Sequence, residues 1–233
     1  MFRLRWLPLL WALPKSVPSF SSWTWLALAW VLLCTALWGS QTAPTLQQAP
    51  LFALMDWQPG LWQTQPWRLW TAALVHWSGA HLLLNLVGCA AVIAWGNAAA
   101  LGARQTLAWM AAWPLTQVLL AASPSLPHYG GLSGVLHAGV AIGAWTLLWQ
   151  GPGQRRGVGA VVLLGLGTKL LLEEPMLGKV LGLDVQARAL AGAPGLVVAT
   201  YAHATGTVAG LVCAVAVDLV KALWPRRAWI ANR

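Results

Sequence analysis

Residues 69–95 read LWTAALVHWSGAHLLLNLVGCAAVIAW, an unbroken run without a lysine, arginine, aspartate or glutamate. The hydrocarbon core of a bilayer is about 30 Å thick and is crossed by roughly 20 apolar residues of helix, so this stretch is long enough to span it. Within it lie His76, His81 and Asn85. A polar side chain inside a span is costly to keep there, which marks all three as functional suspects.

The rest of the chain has the same character. It is 58% hydrophobic and only 8% charged, with a mean hydropathy of +0.64 over 233 residues. Soluble domains carry about 25% charged residues, so lipid is the expected solvent. Six apolar runs are expected to form six spans, at about Trp23–Trp38, Leu69–Trp95, Gln105–Ala122, Gly131–Gln150, Gly157–Leu172 and Pro194–Trp224. The fold class expected is an all-α membrane protein of six transmembrane helices. Residues 1–22 form a lead-in, 23–224 the helical domain, and 225–233 a basic tail. Six spans leave no length for a separate soluble domain. The 18 tryptophans suit a protein with two membrane interfaces, where indole rings settle.

A net charge of +9 raises the question of nucleic acid. The cations instead sit in short loops between apolar runs, as the positive-inside rule places them. With the N-terminus inside, Arg3, Arg5, Lys15, Arg104, Arg155, Arg156, Lys221, Arg226, Arg227 and Arg233 fall on the inner side. Arg68, Lys169, Lys179 and Arg188 fall outside. That asymmetry predicts both termini cytoplasmic. Cys34, Cys89 and Cys213 each lie inside an apolar run without CxxC spacing, so they read as small core residues.

Three polar clusters recur in alternate spans. The second span holds His76, His81 and Asn85. The fourth opens on Tyr129-Gly-Gly-Leu-Ser133-Gly134, with His137 one turn on, and the sixth holds His203, Gly206 and Gly210. Counted from the expected span starts, His203 lies about nine residues in (roughly 14 Å) and His81 about twelve (roughly 18 Å). Similar depth in one leaflet points to one shared site.

Ser133 stands between Gly131 and Gly134 at a helix start, where the hydroxyl is accessible and free N–H groups face a developing oxyanion. A serine needs a base, and His203 is the candidate. His81 and Asn85, at i and i+4, face the same way and can donate to the oxyanion. Gly206 and Gly210 let the sixth helix approach a neighbour closely. No acid is well placed for a third member: Asp218 is fifteen residues beyond His203, and Glu173, Glu174 and Asp184 are expected in an outer loop. A Ser–His dyad is expected.

Trp67-Arg68, HLLLN from His81 to Asn85, GLSG from Gly131 to Gly134, and AHxxGxxxG from Ala202 to Gly210 together resemble the signature of rhomboid intramembrane serine proteases. The resemblance runs from the second span to the sixth. It implies a Ser133–His203 dyad, His81 and Asn85 lining the oxyanion site, and a structural role for Trp67 and Arg68 in the first outer loop. Many rhomboids carry tyrosine four residues after the serine, where this chain has His137. GLSGVLH is similar to the rhombosortase branch of bacterial enzymes. That branch cuts exported proteins ending in Gly-Gly, a transmembrane helix and a basic tail. The resemblance thus implies a bacterial inner-membrane enzyme, open toward the periplasm, with membrane-anchored protein substrates and no cofactor.

Other roles weigh against these. His137 can stack on His203, tune it or compete as base; its i+4 position points past the hydroxyl and favours packing. His76 reads as a loop anchor and His128 as a solvated loop residue. Lys169 is expected to snorkel outward. A haem protein would not need a serine between glycines. A zinc protease would show HExxH, which is absent. An inactive rhomboid-like client binder would usually lack Ser133 or His203.

Overall fold

A computed structural model describes residues 20–42, 50–122, 126–173 and 200–223. The chain is all-helical there. Six longer helices are α1 (Ser22–Thr42), α4 (Gly79–Ala98), α5 (Ala103–Leu119), α6 (Ser133–Gln150), α7 (Gln154–Glu173) and α8 (Thr200–Leu223). Two short helices, α2 (Pro50–Met55) and α3 (Arg68–Thr71), fold the loop after α1. Among the described residues, β pairing is confined to one isolated antiparallel bridge, Trp57 with Tyr129. Residues 1–19 of the expected lead-in, residues 194–199 and Trp224 of the expected sixth span, and the basic tail lie outside the described residues.

Among the described residues, three helices are long and apolar enough to cross a membrane: Ser22–Ser40, Gly79–Ala98 and Thr200–Leu223. Large apolar side chains face outward on five helices, among them Leu32, Leu83, Val87, Leu107, Leu164 and Val212. Water does not tolerate apolar patches of that extent on a monomer. Lipid does.

The expected second span is not one helix. After α3 the chain tightens into a 3₁₀ turn, Ala72–Leu74, and then extends at Val75. α4 begins only at Gly79, where the Ser78 side chain accepts from the His81 N–H at 3.2 Å. That cap ends one helix path and starts another. His81 is therefore in the first turn of α4, not a dozen residues down a helix. His203 is the fourth described residue of α8, and the expected start of its span at residue 194 lies outside the described residues.

α6 is the central helix and packs on α4, α5, α7 and α8. Its contact with α8 is backbone on backbone. A methyl placed on Gly210 would lie 2.5 Å from the Ala138 carbonyl oxygen, and one on Gly206 would overlap the Gly134 carbonyl. Neither obstacle is a side chain that can rotate away. Gly206→Ala is therefore expected to push the two helices apart and cost about 1–3 kcal/mol, as core overpacking does. Thermal unfolding in detergent reads this directly, and an unchanged midpoint would show that the two backbones have room for a methyl between them.

The tryptophans divide between two roles. Trp67, Trp70, Trp77 and Trp149 are exposed, but Trp23, Trp30, Trp57 and Trp109 are fully buried. Trp23 stacks on Trp109 at 4.0 Å and donates to the Val92 carbonyl at 3.0 Å, tying α1 to α5 and α4. Glycine makes the space, since a methyl on Gly96 would overlap the Trp23 indole. Indoles thus build the core as well as face outward. The three cysteines are buried free thiols.

The bundle has two chemically distinct ends. At one, Ser22 meets Thr106 at 2.9 Å, and Arg155 at the start of α7 donates to the Ala98 carbonyl closing α4. Asp218 near the end of α8 accepts from Trp145 and Gln150 of α6. Arg104, Arg155, Arg156 and Lys221 gather at this end. Ser133, His203, Arg68 and Lys169 are at the other.

Candidate active site

Ser133 is the first residue of α6, and its Oγ lies 3.1 Å from Nε2 of His203. Two features place the serine. The Tyr129 main chain exchanges two hydrogen bonds with Trp57, at 2.8 and 2.9 Å, and Gly131 N–H donates to the Ala72 carbonyl at 3.0 Å. Gly131 itself has φ +132°, a left-handed conformation that side chains rarely adopt, and a methyl there would fall 2.7 Å from the His81 ring. Its N–H is committed to Ala72, so Gly131 lines the site by its shape and offers no free N–H there. In α6 the Leu136 N–H bonds back to the Leu132 carbonyl, which leaves the Ser133 and Gly134 N–H groups ahead of the helical ladder.

Tyr129 holds this segment from within. Its hydroxyl donates to the Gly131 carbonyl at 2.7 Å. Burial pushes the phenol up to about 12, so it remains a donor.

His76 is buried and couples two parts of the site. Its Nδ1 meets the Leu74 carbonyl at 3.0 Å, and a carbonyl only accepts, so Nδ1 carries the hydrogen. Its Nε2 then accepts from Asn85 Nδ2 at 3.0 Å. The loop-anchor reading is incomplete: His76 also fixes which way the Asn85 amide points. The second Nδ2 hydrogen of Asn85 stays available beside His81.

His137 stacks on His203, with ring centroids 4.1 Å apart and planes 13° from parallel. Its Nδ1 donates to the Ser133 carbonyl at 2.7 Å. This ring packs against His203 and gives its Nδ1–H to the Ser133 carbonyl, not to the Ser133 hydroxyl.

On the far side of His203 stands a residue that the sequence placed in an outer loop. Glu173 is the last residue of α7, and its Oε2 lies 2.8 Å from His203 Nδ1. Lys169, one turn earlier, reaches the same oxygen at 2.5 Å and passes 3.3 Å from Nδ1. Instead of snorkelling away alone, Lys169 is paired. An ammonium only donates, so Nδ1 cannot serve both neighbours; the shorter contact assigns its hydrogen to Glu173. That tautomer leaves the Nε2 lone pair facing Ser133.

His137, Glu173 and His203 also offer three ligand atoms within 4.8 Å of one another. A shared ion needs lone pairs that converge. The two rings are near-parallel and stacked, so their in-plane lone pairs run side by side, and Oε2 is already occupied by two donors. The trio fits a hydrogen-bond network better than a metal centre. The same direct stacking leaves no space for a macrocycle between the rings.

Trp67 and Arg68 lie away from the serine. The Arg68 guanidinium is buried against Asp56, with Nη1 to Oδ1 at 3.0 Å, and it also reaches the Asp56 and Ala53 carbonyls and Gln65. Trp67 is half exposed and donates to the Leu54 carbonyl at 3.0 Å. His128 is exposed, yet its Nδ1 lies 2.7 Å from the other Asp56 oxygen, so it is paired as well as solvated. Asp56, which the motifs did not flag, is the hub of this loop.

Behind the polar cluster a cavity of about 690 Å³ opens between α4, α6 and α7. Ser133, His203, His81, Asn85, Lys169 and Glu173 line its polar end, and Leu84, Gly88, Val140 and Val162 continue it as an apolar trough. Compared with protein-family models and with curated proteins, the chain matches none.

Proposed function

We propose that this chain is a rhomboid-type intramembrane serine protease of six spans, both termini cytoplasmic. Its active site opens toward the periplasm of a bacterial inner membrane. The observation that carries the reading is the 3.1 Å contact between Ser133 Oγ and His203 Nε2 at the head of a cavity that turns apolar below it. The gathering of Arg104, Arg155, Arg156 and Lys221 at the opposite end supports the orientation.

In the reaction, Ser133 Oγ attacks the scissile carbonyl carbon while its proton passes to His203 Nε2. The oxyanion that forms meets the Ser133 N–H group and donors on Asn85 and His81. Collapse breaks the C–N bond, and the Nε2 proton leaves with the amine. Water then adds to the acyl ester, giving its proton to Nε2; the second collapse frees the carboxylic acid and returns the proton to Ser133.

The substrate is a membrane-anchored protein. A peptide bond inside a regular helix is already hydrogen-bonded, so the scissile segment has to unwind, and glycine lowers that cost by about 0.8–1.0 kcal/mol per residue relative to alanine. Exported proteins with a Gly-Gly, a transmembrane helix and a basic tail fit this requirement, in line with the rhombosortase resemblance.

A fluorophosphonate probe tests the chemistry in native membranes. Phosphonylation is expected on Ser133 alone, and to disappear on heating. A protein that stays unlabelled while folded would refute an activated serine.

A further inference from the structure

The network around His203 extends past the two residues that carry the protease reading. A neutral imidazole has one N–H and one lone pair, and only the form protonated at Nδ1 can take a proton from Ser133. The 13° stack on His137 allows the His203 ring to slide or rotate in its own plane, so stacking alone does not select that form. Glu173 Oε2, 2.8 Å from Nδ1, does select it, because a carboxylate accepts and never donates. His203 and Glu173 side chains are 7% and 14% exposed, so the bond is largely shielded from water.

Resting on the protease reading above, we infer that Glu173 is the positioning residue of a Ser133–His203–Glu173 triad, in place of the dyad expected from sequence. It acts through the base. It holds Nδ1–H, aims Nε2 at Ser133, and offsets the positive charge that appears on the ring when Nε2 takes the serine proton. No bond to Glu173 forms or breaks, and its carboxylate stays ionised throughout.

Lys169 has a separate part. Its ammonium shares Oε2 with the imidazole, and the i,i+4 spacing on α7 keeps the carboxylate facing His203. Its Nζ also stands 3.3 Å from Nδ1. The carboxylate oxygen lies between the ammonium and the imidazole and accepts from both.

The test compares variants in detergent-solubilised full-length protein, scoring folded fraction by thermal unfolding and cleavage by release from a Gly-Gly-tailed membrane reporter. Glu173→Gln keeps the shape but presents an amide that can offer N–H to Nδ1 and favour the wrong tautomer. The rate at saturating substrate is expected to fall on the order of 10²–10⁴-fold, the scale of losing an oriented base. KM should stay near its original value, since Glu173 contacts the base and not the substrate. Glu173→Asp, which keeps the charge on a shorter arm, should recover part of the rate. Lys169→Met leaves the carboxylate on Nδ1 and should lose much less than Glu173→Gln at equal folded fraction. A Glu173→Gln protein within about threefold of the unaltered rate overturns the inference. So does a Lys169→Met loss as large as that of Glu173→Gln, which would mark a purely structural ion pair. Ser133→Ala run alongside keeps the two failures apart: cleavage persisting there removes the protease reading itself. Loss there beside a normal Glu173→Gln removes the triad alone.

Discussion

Ser133→Ala and His203→Ala are each expected to abolish release of a reporter that ends in Gly-Gly, a transmembrane helix and a basic tail. The two groups act as one unit, since the hydroxyl is a weak nucleophile until Nε2, 3.1 Å away, accepts its proton. Either change should therefore cost on the order of 10⁶ in kcat, and the double variant little more. Residual turnover would come from the N–H groups at the start of α6 and from the Asn85 amide, which do not depend on the dyad. Mass spectrometry of the product is expected to place the new C-terminus at the periplasmic end of the reporter helix. Near-normal release by folded His203→Ala protein would remove His203 as the base. Additive losses in the double variant would show that the two residues work separately.

The parts of the site that sequence made legible are those written in local pattern. Ser133 between glycines, and His203 three and seven residues before Gly206 and Gly210, carry their geometry in their spacing. Small residues there permit the α6–α8 contact that brings His203 to Ser133. Depth was harder to read. The run from Leu69 to Trp95 is apolar throughout, and hydropathy does not register a change of backbone path. The Ser78-Gly79 pair was a cap signal inside the run, and it moves His81 to the first turn of α4.

Glu173 was hidden for a different reason. An acidic residue after an apolar run reads as a loop, and its partner is 30 positions away on α8. One signal was present. Val162, Gly165, Leu166, Lys169 and Glu173 recur at spacings of three and four, and all of them line the cavity. Continuing that face one residue past Leu172 would have put the carboxylate beside the site. Asp56 was equally quiet: the only acid in the loop between α1 and α3, it acquires meaning only when folding buries it against Arg68.

Arg68→Ala is expected to be the most damaging change outside the site. Asp56 is completely buried and Arg68 nearly so, and the guanidinium satisfies four oxygen acceptors: Asp56 Oδ1, the Asp56 and Ala53 carbonyls, and Gln65 Oε1. Among the described residues, removing it leaves the buried carboxylate with Gln58 and the exposed His128 as its side-chain partners. Breaking a buried pair from one side costs about 3–5 kcal/mol. At roughly 2–4 °C per kcal/mol for a chain of this size, the unfolding midpoint should fall by about 6–20 °C. Activity should fall with it, because Trp57, next to Asp56, bridges to Tyr129 in the segment that leads into Ser133. Arg68→Lys should recover little, since one ammonium cannot span acceptors arrayed around a planar fork. The decisive comparison is Arg68→Ala with Asp56→Ala and the double variant. Removing both charges leaves no unpaired buried charge, so the double variant should be more stable than the sum of the singles predicts. Strictly additive losses would mean that the two side chains stabilise the loop independently. The path from this ion pair to the placement of Ser133 would then have to run through the Arg68 contacts to Ala53 and Gln65 instead.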